Sequence, residues 1–170
     1  ATEVSSGDNI TWSATYEMSD TDSDNVSVSL NIGFFDLAGN PGSAVDNTTN
    51  GSAVRFDKTV PTLSSVTIAS NNTLYTTMAK TGDNITLSIT SSETIRTPTV
   101  EIAGQAATET GDNMTWSAAY TMTNSNTQGP VSLNIVFEDL AGNAGSAITS
   151  TTDGSAVQFD RTSPVLQPVD

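Results

Sequence analysis

Ile10-Thr11-Trp12-Ser13-Ala14-Thr15-Tyr16-Glu17-Met18 sets an apolar side chain at every second position, with polar ones between. A β-strand sends alternate side chains to opposite faces, so this pattern describes a strand with one face in a core and one in water. Val26, Val28, Leu30, Ile32 and Phe34 repeat it against Ser27, Ser29, Asn31 and Gly33. No comparable stretch has helical periodicity, and the abundance of Thr and Val suits a pleated surface. The chain is expected to be all-β.

Outward from that strand, the sequence repeats itself. Ser6-Gly7-Asp8-Asn9-Ile10-Thr11-Trp12-Ser13-Ala14 returns 104 residues later as Thr110-Gly111-Asp112-Asn113-Met114-Thr115-Trp116-Ser117-Ala118. From Ser29 the offset is 103, and Ser29–Pro61 matches Ser132–Pro164 at 23 of 33 positions. The one-residue slip falls between Met18 and Ser29, where a loop absorbs it. Asp57-Lys58-Thr59-Val60-Pro61 aligns with Asp160-Arg161-Thr162-Ser163-Pro164, so the two prolines mark seams. Residues 1–61 then form the C-terminal part of one repeat, 62–164 a complete repeat, and 165–170 the opening of a third. Within the complete repeat the alternation predicts strands near 63–70, 84–91, 98–103, 105–109, 114–122, 130–138 and 145–160, the last broken near Asp153-Gly154. The Gly-Asp-Asn and Ala-Gly-Asn triplets supply turns. Seven short strands in about a hundred residues predict immunoglobulin-like β-sandwich repeats in tandem, with Trp12 and Trp116 as packing residues. Residues 1–61 alone hold only about the last three strands of such a sandwich. They would expose an apolar face unless strands from elsewhere cover it.

Phe137-Glu138-Asp139-Leu140-Ala141-Gly142-Asn143, followed by Phe159-Asp160-Arg161-Thr162-Ser163-Pro164, resembles the bacterial Ig-like repeats of very large cell-surface proteins. Phe34–Asn40 and Phe56–Pro61 carry the same marks in the first copy. The resemblance covers essentially the whole chain. It implies a tandem, extracellular setting in which such modules act mostly as spacers.

Composition narrows the chemistry. The 170 residues contain no Cys and no His, which removes thiol and imidazole nucleophiles, bases and metal ligands. Hard-cation sites built from oxygen remain. With 19 acidic and 5 basic residues the formal charge is −14, which repels nucleic acid and anionic membranes. No apolar run approaches the roughly 18 residues of a membrane span, and no signal peptide opens the chain, which is therefore expected to start inside a longer protein. Thr and Ser make up 50 residues and Asn another 14, with seven Asn-x-Ser/Thr sequons. That composition permits a glycosylated extracellular stalk.

The one pattern with metal-binding spacing is Asp20-Thr21-Asp22-Ser23-Asp24-Asn25, whose alternate carboxylates suit a short Ca²⁺ loop. It is not an EF-hand, since Asn25 stands where the loop glycine belongs and Asn31 where the bidentate glutamate belongs. The second copy has Asn124-Ser125-Asn126-Thr127-Gln128 instead. Successive loops of a sandwich alternate between its poles. Asp20, Asp22, Asp24 and Asp57 of the first copy and Glu93, Glu138 and Asp139 of the second are thus expected to face one seam. Ca²⁺ there would neutralise them and stiffen the array; alternatively, Asp36 and Asp139 only brace their turns. The expected function is a non-catalytic spacer or adhesive repeat whose partners are neighbouring repeats of the same chain. A self-assembling surface-layer or filament subunit, joined to identical chains by lateral contacts or β-strand addition, is the alternative. An accessory domain of a secreted polysaccharide-degrading enzyme is a third reading, though no exposed line of aromatics supports it.

Overall fold

The computed structural model describes residues 1–5 and 10–167 and divides the chain into two units, Ala1–Thr59 and Val60–Asp170. Every regular element among the described residues is a strand. None of them forms a helix long and apolar enough to cross a membrane.

The first unit has two short ribbons. β1 (Thr2–Ser5) pairs antiparallel with β2 (Trp12–Thr15), and β3 (Val26–Ser27) pairs antiparallel with β4 (Arg55–Phe56). Single bridges join Ile32 to Val45 and Phe35 to Pro41.

The second unit is a two-layer sandwich. Its elements are β5 (Leu63–Ser70), β6 (Met78–Ala79), β7 (Asn84–Ser91), β8 (Thr99–Ile102), β9 (Gln105–Ala106), β10 (Thr108–Asp112), β11 (Thr115–Thr121), β12 (Gly129–Pro130), β13 (Leu133–Val136) and β14 (Gln158–Phe159). One layer has the antiparallel order β10-β11-β7-β5. The other layer is built from β9-β8-β13 and β12-β14-β6, the last pair parallel. The bridge from Ile135 to Ile148 and the bond from Val131 N–H to the Val157 carbonyl continue it. The alternation in β7 buries Ile85, Leu87 and Ile89 against Val100 and Ile102 of β8 and Leu133 and Ile135 of β13, all in one core with Trp116 and Phe159. Each such side chain contributes about 1.5–3 kcal/mol by leaving water.

β5 and β7 fall where the alternation places them. The 105–109 strand divides and runs on to Asp112, which pairs with Thr115 across a turn at Asn113, φ +50°. A short polar side chain tolerates that left-handed backbone. The long 145–160 strand is reduced to β14, for a physical reason. The segment before it meets the edge of β5 with hydroxyls: Val66 N–H donates to Thr152 Oγ1 and Ile68 N–H to Ser155 Oγ, both at 2.9 Å. Side chains there take bonds that a ladder would otherwise make, and the edge of β5 is capped. β6 is an addition, since two residues cannot display alternation.

The two units repeat each other in part. β2 corresponds to β11, β3 to β12 and β4 to β14 at the offsets of the sequence repeat, and the bridge Ile32–Val45 to Ile135–Ile148. No described strand of the first unit corresponds to β5 through β8. The consequence is visible in exposure. Trp116, Ile135 and Phe137 are 8%, 0% and 4% exposed, whereas Trp12, Ile32 and Phe34 are 62%, 54% and 51% exposed. Trp12 therefore lies on the face expected to pack, but that face is open. A cleft of about 730 Å³ runs along it, walled by Ala14, Tyr16, Val28, Leu30, Ile32 and Phe56 among others. In both units a glycine lies under a phenylalanine ring, Gly42 beneath Phe34 and Gly145 beneath Phe137.

Candidate functional site

The acidic loop of the first unit closes on its own chain. Ser19 N–H and Ser19 Oγ donate to Asp22 Oδ2 at 2.7 and 3.0 Å, and Tyr16 Oη donates to Asp22 Oδ1 at 2.8 Å. The Ser19 N–H, then the Tyr16 hydroxyl, hold the Asp22 carboxyl below the usual carboxylate range. The same bond to Asp22 pushes the Tyr16 phenol up. Lys58 Nζ donates to the backbone carbonyls of Asp20 and Asp22 at 2.6 and 2.9 Å. Lys58 N–H reaches Asp24 Oδ1 at 2.8 Å, and Thr59 Oγ1 reaches Asp24 Oδ2 at 2.6 Å. The Thr59 hydroxyl is the first cause of a lowered Asp24 carboxyl. Asp57 Oδ1 accepts from Thr59 N–H at 3.0 Å. Asp22, Asp24 and Asp57 thus hold the loop and the strand end together, and the carbonyl of the exposed Asp20 receives an ammonium.

The second unit builds the same clasp from neutral groups. Thr123 N–H and Tyr120 Oη donate to Asn126 Oδ1 at 2.7 and 3.3 Å, as Ser19 and Tyr16 do to Asp22. Arg161 N–H and Thr162 Oγ1 donate to Gln128 Oε1 at 2.8 and 2.9 Å, as Lys58 and Thr59 do to Asp24. The Arg161 guanidinium bonds the Asn124 carbonyl, as Lys58 bonds that of Asp20. All three aspartates with Ca²⁺-loop spacing are replaced here by amides, Asn124, Asn126 and Gln128, without loss of the arrangement. Sequence pattern does not announce the clasp, although a basic residue stands at the matching seam position in both copies, Lys58 and Arg161.

Glu93, Glu138 and Asp139 belong to the second unit. Ile95 bridges to Asp139, which draws the 92–96 segment to the 139–143 turn. Carboxylate oxygens of Glu93 and Asp139 lie within 4.8 Å of one another. Glu138 is paired with Arg96 at 2.9 Å on the surface. Asp139 is buried and accepts from Gly142 N–H, Asn143 N–H and Asn143 Nδ2 at 2.7, 2.8 and 2.7 Å. Burial pushes its carboxyl up, but these bonds, that from the Asn143 side chain first, outweigh burial and hold it low. Asp36 braces the matching turn through Ala38 and Asn40. Glu93 and Asp139 are therefore brought together within the second unit. The three loop aspartates are gathered around Lys58 and Thr59 within the first, two by their carboxylates and Asp20 by its carbonyl.

The open cleft offers different chemistry. Its walls are mainly apolar, and its carboxylate, Asp22, is already bonded to Ser19 and Tyr16. The arrangement suits burial of apolar side chains. No family model, curated protein or solved structure matches the chain.

Proposed function

We propose that this chain is a stretch of a non-catalytic tandem array of Ig-like repeats, serving as a spacer stalk of a large extracellular surface protein. One observation carries the reading: the two copies repeat their loop-bracing hydrogen bonds partner for partner, with acid and amide exchanged at Asp22/Asn126 and Asp24/Gln128. Residues that can trade charge within one geometry are there to hold loops. The resemblance of the Asp-Leu-Ala-Gly-Asn and Phe-Asp-x-Thr-x-Pro runs to bacterial surface repeats supports the extracellular setting. Negative-stain imaging of purified protein tests it. Separate particles are expected; sheets or fibres would favour the self-assembling subunit instead. Specific capture of a polysaccharide would favour the accessory-domain reading.

Ca²⁺ stiffening is a second part of the proposal, supported by the closeness of Glu93 and Asp139. Two carboxylates so near repel unless a cation or a proton intervenes. A melting temperature of the second unit that rises with Ca²⁺, falls with chelator, and loses this response in Glu93→Gln is the expected result. Identical curves would remove Ca²⁺ from the account.

A further inference from the structure

The cleft of the first unit has an occupant defined elsewhere in the same chain. Its wall residues Ala14, Leu30, Ile32 and Phe56 correspond to Ala118, Leu133, Ile135 and Phe159, all buried in the second unit. There they are covered by Val66, Ile68, Ile85, Leu87, Val100 and Ile102, which lie within residues 62–103. Backbone pairing follows the same division. In the second unit β11 pairs with β7, β13 with β8 and β14 with β6. In the first unit β2 pairs with β1 and β4 with β3, and no partner corresponding to β7 or β6 is present among the described residues.

We propose that this face is an acceptor for a segment of the 62–103 type supplied by another copy of the repeat. It binds as three added strands with the side chains of a sandwich core. The repeat offsets set the register. Trp12 faces a residue equivalent to Ile89, Ala14 one equivalent to Leu87, Leu30 one equivalent to Ile102, and Phe56 one equivalent to Ala79. The 62–103 segment described here is engaged in its own second unit, so the complement is a further copy of that segment. The proposal rests on the tandem-repeat reading and names the partner that one repeat offers another.

The test uses the full chain with a peptide of residues 60–104, and a second protein in which a copy of 60–104 is joined directly before Ala1. That junction reproduces the spacing of residues 104 and 105. Trp12 is the accessible tryptophan and Trp116 the buried one, so acrylamide quenching reads the face. The expected result is loss of the accessible fraction at one peptide per chain and in the joined protein, with amide protection appearing at Trp12–Thr15. Ile32→Asp should abolish peptide capture while leaving the melting of the second unit unchanged. Trp12 remaining quenchable in both formats overturns the proposal. So does protection that grows with protein concentration in the absence of peptide, which would make the face a contact between copies. Either failure leaves particle shape on the grid untouched, so the spacer reading is judged separately.

Discussion

Gly145 sits so close to the Phe137 ring that a Cβ at that position would overlap the ring carbons, and Gly42 is placed in the same way against Phe34. The surroundings differ. Phe137 is enclosed by the core and cannot retreat, whereas Phe34 has solvent to swing into. Gly145→Ala should therefore cost about 1–3 kcal/mol by overpacking, and Gly42→Ala about 0.5 kcal/mol or less. Urea titrations of the two variants check this. Asp139 gives a second residue-scale prediction. Its folded carboxyl is held below the unfolded value, so the unfolded chain takes up the proton first as pH falls. The stability it contributes is complete above the ordinary carboxylate range, near pH 4, and is lost as pH drops through the depressed folded value. Asp139→Asn places an amide donor against Asn143 Nδ2 and should cost about 1–3 kcal/mol at pH 7. The difference between variant and parent should narrow by pH 2–3, as denaturation at both pH values will show. The turn role of Asp139 was readable from Asp-Leu-Ala-Gly-Asn; its pairing with Glu93 required the fold.

Elements differ in how plainly the sequence announces them. β5, β7 and β11 are readable because each has several apolar residues at period two, and only burial on one face satisfies that pattern. β6 is not, and β14 is only the end of a longer expected strand, because their pairing is decided by distant chain rather than by local alternation. The segment before β14 reads as a strand, yet its Thr152 and Ser155 hydroxyls cap β5, a preference that alternation cannot encode. The Lys58 clasp was hidden for a similar reason: its acceptors are largely backbone carbonyls, which every sequence has. Identical sequence also does not guarantee identical burial. Ile32 and Ile135 sit in matching Leu-Asn-Ile runs, but only Ile135 has a layer above it. Ile135→Ala should cost about 2–5 kcal/mol, and Ile32→Ala about 0.5 kcal/mol or less in the free chain. Paired chemical denaturation curves decide the contrast.

At the scale of the whole molecule, stability should be uneven. The second unit has a closed core, while the first leaves Trp12, Ile32 and Phe34 in water. Local opening follows such differences in burial. Amides at Trp12–Thr15 should exchange before those at Asn84–Ser91, and a protease that cuts at aromatic and aliphatic residues should cleave within 1–59 first. Equal protection across both units would contradict this. Charge is shared differently from burial. Residues 1–59 hold nine acidic and two basic side chains and residues 60–170 hold ten and three, so each part carries −7. The first reaches that figure in about half the length, largely through Asp20, Asp22 and Asp24. Because the loop keeps its form with amides in all three of those seats, surface charge is uncoupled from architecture. The two copies thus wear different ionic coats on one loop design, so hydration and mutual repulsion can be tuned without a single turn having to be rebuilt.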